Sequence, residues 1–135
     1  MAYTKFDCFV EDLAEGMHDL SSDQLTVALT NSAPTAANDD ELADISEITY
    51  TNCSSRNITT SSSSQTSGTY SLVLDDLVLT ASGGTVGPFR YVVIYNNGAT
   101  NDELICYDDK GSSITLQDGE TLTIDFNAAG LFTIT

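Results

Sequence analysis

The sequence has few basic residues. Lysine and arginine number 4 against 20 aspartates and glutamates, which gives a formal net charge of -16. So few cations, spread along the chain, cannot neutralise a row of phosphates, and this excludes nucleic acid and anionic membrane surfaces as partners. The favoured explanation of the many acidic residues is solubility, because molecules of like charge repel one another. The alternatives are that the acids bind a divalent cation or a basic protein partner. The four bases are Lys5, Arg56, Arg90 and Lys110.

Long apolar runs and tryptophan are also missing. No run approaches the roughly 18 apolar residues of a membrane span. Asp7, Glu11 and Asp12 stand where a signal peptide carries its apolar core, which predicts that the chain is not secreted by that route. Without tryptophan, a sugar-stacking platform would depend on the six tyrosines.

Cysteine is scarce and odd in number. Cys8, Cys53 and Cys106 lie far apart and lack the paired spacing of a zinc site. If any two formed a disulfide, the third would stay unpaired. The pattern predicts three buried thiols in a protein assembled in a reducing cytosol.

The strongest pattern is a series of strands and tight turns between residues 70 and 126. Residues 88–95 alternate with a period of two, which is typical of a strand. We expect a turn at 108–111, and the Asp-Gly pair at 118–119 predicts a hairpin between its flanking runs. One face of the 88–95 strand carries Phe89, Tyr91, Val93 and Tyr95, and the other carries Arg90, Val92 and Ile94.

Near the N-terminus the spacing of apolar residues becomes helical. They recur every three or four positions, which predicts a helix of two or three turns that ends near Gly16 and packs on the sheet. An arm that docks on a partner is the alternative interpretation. These apolar residues are Phe6, Phe9, Val10, Leu13, Met17 and Leu20.

Four shorter elements complete the pattern. Alternation predicts strands at 25–30 and 130–135, and the polar segment between the first strand and residue 47 predicts one helical turn at 41–45. An exposed strand should begin at 58–60, where a threonine-rich segment starts.

Seven or eight short strands at regular spacing favour two sheets that face each other across one core. The predicted fold class is therefore all-β, a jelly-roll-like β-sandwich with a short N-terminal helix. Residues 1–22 are expected to form a helical arm packed on the domain. Residues 23–135 are expected to form the β-sandwich domain.

The residues predict no enzyme. A glycosidase needs two carboxylates that face each other, whereas neighbouring acids in a strand point to opposite faces. His18 is the single histidine, and no nucleophile stands at a recognisable distance from it, so a structural role is favoured. No catalytic, cofactor-binding or metal-binding residue is assigned, and we expect no cofactor. The acidic turn at 108–111 resembles the start of a calcium loop but lacks the later ligands.

Arg90 is the most informative base because it lies inside an apolar strand, where a charge is rarely left unpaired. Its expected partner is Asp75 or Asp76, with Asp76 favoured, in a structural ion pair. A contact between Arg90 and a ligand is the alternative.

Several segments resemble a family of small structural proteins of tailed bacteriophages. The resemblance covers nearly the whole chain, and no motif in it carries catalytic residues. The segments that carry it are Lys5–Ala14, Val27–Pro34, Ala43–Ile48, Gln65–Tyr70, Thr80–Tyr91 and Leu104–Thr135.

The resemblance implies a virion component, and capsid decoration is the role we expect. Such a cement protein binds the outer surface of the major capsid lattice, is assembled in the host cytoplasm and is often a homotrimer. Tyr3, Lys5 and Phe6 are then the expected capsid contacts, because a short ordered arm adds interface at modest cost. The alternative is a tail or fibre component that binds a host glycan.

Overall fold

The computed structural model describes residues 3–135. This part of the chain forms one α-helix, one 3-10 helix at Leu42–Asp44 and nine strands, rather than the predicted seven or eight. The helix α1 spans Cys8–Ala14. The strands are β1 Thr4–Lys5, β2 Leu25–Thr30, β3 Thr60–Thr66, β4 Thr69–Leu74, β5 Leu77–Thr80, β6 Val86–Asn96, β7 Leu104–Leu116, β8 Thr121–Ile124 and β9 Phe132–Ile134.

The strands form three antiparallel sheets that share one core. The strand orders are β1-β7-β6-β2, β3-β4-β9 and β5-β8. The main cluster of buried side chains draws on all three sheets. The prediction of an all-β sandwich with a short N-terminal helix is confirmed. The short elements expected at 25–30, 41–45, 58–60 and 130–135 are also present.

The central part of the four-stranded sheet is buried on both faces. All six residues of β2 are buried, and the side chains of Leu25, Val27 and Leu29 belong to the main cluster. Ala28 belongs to a second buried cluster, together with Phe6 and Leu104. The N-terminal segment therefore helps to cover the face of this sheet that the other two sheets do not reach.

Residues 108–111 do not form the expected turn. They lie within β7, whose two halves both pair with β6. Tyr91 pairs with Asp109 and Phe89 pairs with Ile114, so the pairing shifts around Arg90 and the extra residues of β7 form a bulge. The turn prediction is wrong because glycine, here Gly111 at φ +87°, serves bulges as well as turns.

The Asp-Gly pair at 118–119 forms a turn but no hairpin. After the turn, β8 pairs with β5 rather than with the preceding strand β7. The turn carries the chain from the four-stranded sheet to another sheet of the sandwich. The hairpin prediction is wrong because local turn chemistry does not determine which strand the next one joins.

The N-terminal segment packs on the sandwich. Helix α1 has seven residues, about two turns, and it ends close to Gly16, as expected. Phe9 and Leu20 join the main core, and β1 pairs with β7. The boundary drawn at residue 22 stays a prediction, since this segment shares its core with the rest of the chain.

Candidate functional site

Helix α1 lies beside the open edges of two sheets. Strand β1 is the outer strand of the four-stranded sheet, and β9 is the outer strand of the three-stranded sheet. Between α1 and β9 runs a largely apolar groove of about 260 Å³, which we call the α1–β9 groove. Its lining residues are Lys5, Phe9, Val10, Leu13, Phe132, Thr133 and Ile134.

Two exposed apolar side chains form the rims of the groove, above an aromatic floor. The ring of Phe9 is buried and meets the ring of Phe132 edge to face, with centroids 5.2 Å apart. Val10 is 57% exposed and Ile134 is 43% exposed. Exposed apolar side chains that line the same groove, unlike scattered ones, mark a surface that a partner can cover.

A second opening lies on the other side of α1 and is acidic. It has a volume of about 510 Å³, and no basic residue is among the described residues that line it. We call it the acidic cavity. Residues three and four apart share one side of a helix, so α1 sends residues 7, 8, 11 and 12 to the cavity and residues 9, 10 and 13 to the groove. The cavity is lined by Asp7, Cys8, Glu11, Asp12, Met17, Asp40, Glu41, Asn101 and Glu103.

The cysteine thiol in the acidic cavity is not activated as a nucleophile. Burial, followed by the charges of Asp12 and Asp40, raises the pKa of the Cys8 thiol to about 12. The thiol is then protonated at neutral pH and is a weak nucleophile. Burial also raises the pKa of Asp12. Within residues 3–135, no three His, Cys, Asp or Glu side chains are grouped so that they could hold a metal ion.

His18 lies buried behind α1. Its Nδ1 is 2.9 Å from the side-chain amide nitrogen of Asn96, and its ring packs against Phe9 with centroids 5.2 Å apart. Burial lowers the pKa of His18, although the charges of Asp12, Glu103 and Asp23 oppose this effect. His18 thus joins the segment after α1 to the end of β6.

The three expected capsid contacts occupy different environments. Lys5 is exposed and lines the α1–β9 groove, whereas Tyr3 is half-buried and stacks on Phe126. Phe6 has no exposed surface, and its ring packs 5.2 Å from that of Tyr107. The prediction that Phe6 is a surface contact is wrong, because its backbone N–H continues the pairing with β7 and its side chain enters the core.

The predicted ion pair between Arg90 and Asp76 is also wrong. Arg90 binds both carboxylate oxygens of Asp109, at 2.7 and 3.0 Å, and this pair lowers the pKa of Asp109. Asp76 instead accepts a hydrogen bond from the backbone N–H of Phe126 at 2.8 Å. The physical reason is the sheet topology: β6 pairs with β7 and β2, and the chain around Asp75 and Asp76 joins neither.

The three cysteines are free thiols, as expected, but they are not equally buried. Cys106 is buried, whereas Cys8 and Cys53 are partly exposed. Burial raises the pKa of both Cys53 and Cys106. None of the three therefore has the lowered pKa of a reactive cysteine.

Comparison with known proteins adds no relative. No protein-family model, no curated protein and no solved structure matches the chain. In the described part of the chain, no helix combines the length and the apolar character that crossing a membrane requires. The helical spacing of apolar residues predicts that Val10 packs on the sheet, and neither this spacing nor the alternation at 130–135 shows that Val10 and Ile134 are exposed at a groove.

Proposed function

We propose that the protein is a structural component of a tailed-phage virion, a decoration protein that binds the outer surface of the major capsid lattice. The resemblance of its segments to small phage structural proteins motivates the role. The observation that carries the proposal is the exposed apolar groove between α1 and β9, on a chain whose surface is otherwise rich in acids.

The sandwich suits a role in which binding itself is the function. Decoration strengthens a shell by adding contacts between subunits that internal pressure pushes apart, and this requires a rigid body more than a reactive group. Strands β6 and β7 pair over most of their length, and side chains on both faces of this pair are buried in the core. Such a body can transmit load with little deformation.

The groove offers a place where a capsid subunit can bind. Strand β9 pairs with β4 on one side, and no strand in the described part of the chain pairs with its other side. An open strand edge next to exposed apolar side chains is a common setting for a partner segment. A stable interface buries about 800 Å² on each partner, so the contact extends from the groove over α1.

Homotrimerisation, which the resemblance implies, belongs to the same proposal. Three copies around a lattice axis multiply a modest single contact. A tail or fibre component that binds a host glycan is the alternative; such a component would be present in few copies and confined to the tail.

The test is to add the protein to capsids that lack it and to measure the temperature at which they release DNA. We expect the added wild-type protein to raise this temperature, and Val10→Asp to abolish the rise because it places a charge on the apolar rim. Val78→Asp is the matched control, since Val78 is 49% exposed but does not line the groove.

Unchanged heat resistance with wild-type protein bound would contradict a cement role. Equal loss with both aspartate variants would contradict the assignment of the groove. Binding to host polysaccharide together with no binding to capsids would favour the tail component.

A further inference from the structure

We infer that the partner segment seated in the α1–β9 groove is extended and apolar, and that it carries lysine or arginine where it crosses α1 to the acidic cavity. This inference rests on the proposed function, because it describes the capsid segment that the groove receives. It is carried by the juxtaposition of an apolar groove and an acidic cavity on the two sides of one short helix.

The shape of the groove favours an extended segment. The open edge of β9 lies along it, with Phe132, Thr133 and Ile134 among the lining residues. An added strand would satisfy backbone groups at that edge, and its alternate side chains would enter the groove between Val10 and Ile134. Those side chains must be apolar, because the floor is formed by aromatic rings and offers them no buried polar partner.

The charge around α1 determines which residues the partner segment carries beyond its apolar stretch. Helix α1 spans seven residues and is about 10 Å wide with its side chains, so a segment that covers the groove reaches across the helix within a few residues. On the far side it meets the exposed acids Asp7, Glu11 and Asp40, and the cavity around them has no basic lining residue among the described ones. Cations on the segment would complement these carboxylates, whereas acids there would be repelled.

The same charge argues against a second copy of this chain in the groove. Each copy carries a net charge of -16, and two copies that met at their grooves would bring both acidic cavities together. Repulsion of this kind disfavours a wrong partner. A trimer of the chain would therefore use another surface.

Peptides test the inference without capsids. The protein is labelled with ¹⁵N and titrated with Lys-Val-Thr-Val-Lys-Val-Lys and, separately, with Glu-Val-Thr-Val-Glu-Val-Glu. We expect the lysine peptide to shift the backbone signals of Val10, Glu11, Thr133 and Ile134, with binding that weakens as salt is added. The glutamate peptide should leave these signals in place.

A matched pair of variants tests the role of the acids. Glu11→Lys and Asp75→Lys change the net charge equally, and both residues are exposed, but Glu11 lines the acidic cavity and Asp75 does not. We expect Glu11→Lys to weaken binding of the lysine peptide about fivefold or more, and Asp75→Lys to weaken it less.

Equal binding of both peptides, no binding of the lysine peptide, or equal effects of the two variants would overturn the inference. So would a concentration-dependent dimer that Val10→Asp abolishes, because it would make a second copy the occupant. The proposed function fails separately, when capsids gain no heat resistance from the bound protein.

Discussion

The side-chain amide of Asn96 donates a hydrogen bond to Nδ1 of His18 over 2.9 Å. The same nitrogen donates to the carboxylate of Asp23 at 2.7 Å, and the amide oxygen accepts from the backbone N–H of Gly98 at 2.9 Å. These contacts fix the orientation of the amide, so Nδ1 must be the acceptor and the proton of neutral His18 is on Nε2. Protonation of Nδ1 would break the bond that joins the segment after α1 to the end of β6.

We therefore expect acid to destabilise the fold through His18. Its pKa is lowered in the folded state, so the unfolded chain binds a proton first as the pH falls below about 6.5. The free energy of unfolding should then fall by up to about 1.4 kcal/mol per pH unit from this group. The raised pKa of Asp12 acts in the opposite direction, because its contribution to stability is lost as the pH rises.

Urea unfolding between pH 7.5 and 5 measures this dependence, with His18→Gln as the control that removes only the histidine component. An NMR titration of His18 should also give a pKa below its value in an unfolded peptide. A pKa above that value, or a pH dependence identical in His18→Gln, would show that the histidine is not held neutral.

Truncation to alanine should destabilise the fold strongly at Phe6 and hardly at all at Val10. Phe6 is fully buried, so Phe6→Ala should lower the free energy of unfolding by about 3–5 kcal/mol. Val10 is 57% exposed, so Val10→Ala should change it by no more than about 0.5 kcal/mol. Chemical denaturation of both variants measures the difference. A small effect at Phe6 would mean that this side chain is not part of the core.

The partner of Arg90 can be identified by double-mutant cycles. Replacing Arg90 and Asp109 with alanine, singly and together, should reveal a measurable coupling, because the guanidinium binds both oxygens of that carboxylate. The parallel cycle of Arg90 with Asp76 should show none. Since the pair is exposed, the coupling with Asp109 should also shrink as salt is added. A coupling with Asp76 instead would contradict the sheet pairing described above.

The positions of the strands could be predicted from the sequence better than the way in which the strands pair. The alternation from Phe89 to Tyr95 correctly predicts a strand, but the pairing shifts between Phe89 and Tyr91. Phe89 consequently packs with Val92 and Ile94 in the main cluster, whereas Val93 and Tyr95 face the second cluster. The alternation within one strand cannot predict such a shift, because a bulge depends on how two strands pair.

The candidate site shows the same limit. Lys5 was expected at an interaction surface and does line the groove, yet its neighbour Phe6 is buried. The exposed rim formed by Val10 and Ile134 arises where residues from the two ends of the chain meet. Such a surface depends on packing between residues that are far apart in the sequence. The spacing of apolar residues predicts only the single helix or strand in which they lie.

Cryo-electron microscopy of virions that contain the protein tests the central claim most directly. We expect density for the sandwich over the whole outer shell, in copy numbers comparable to the major capsid protein. Helix α1 and strand β9 should face the capsid surface, with Val10 and Ile134 covered. Density confined to the tail, or a shell-bound protein whose α1–β9 groove faces solvent, would contradict this account.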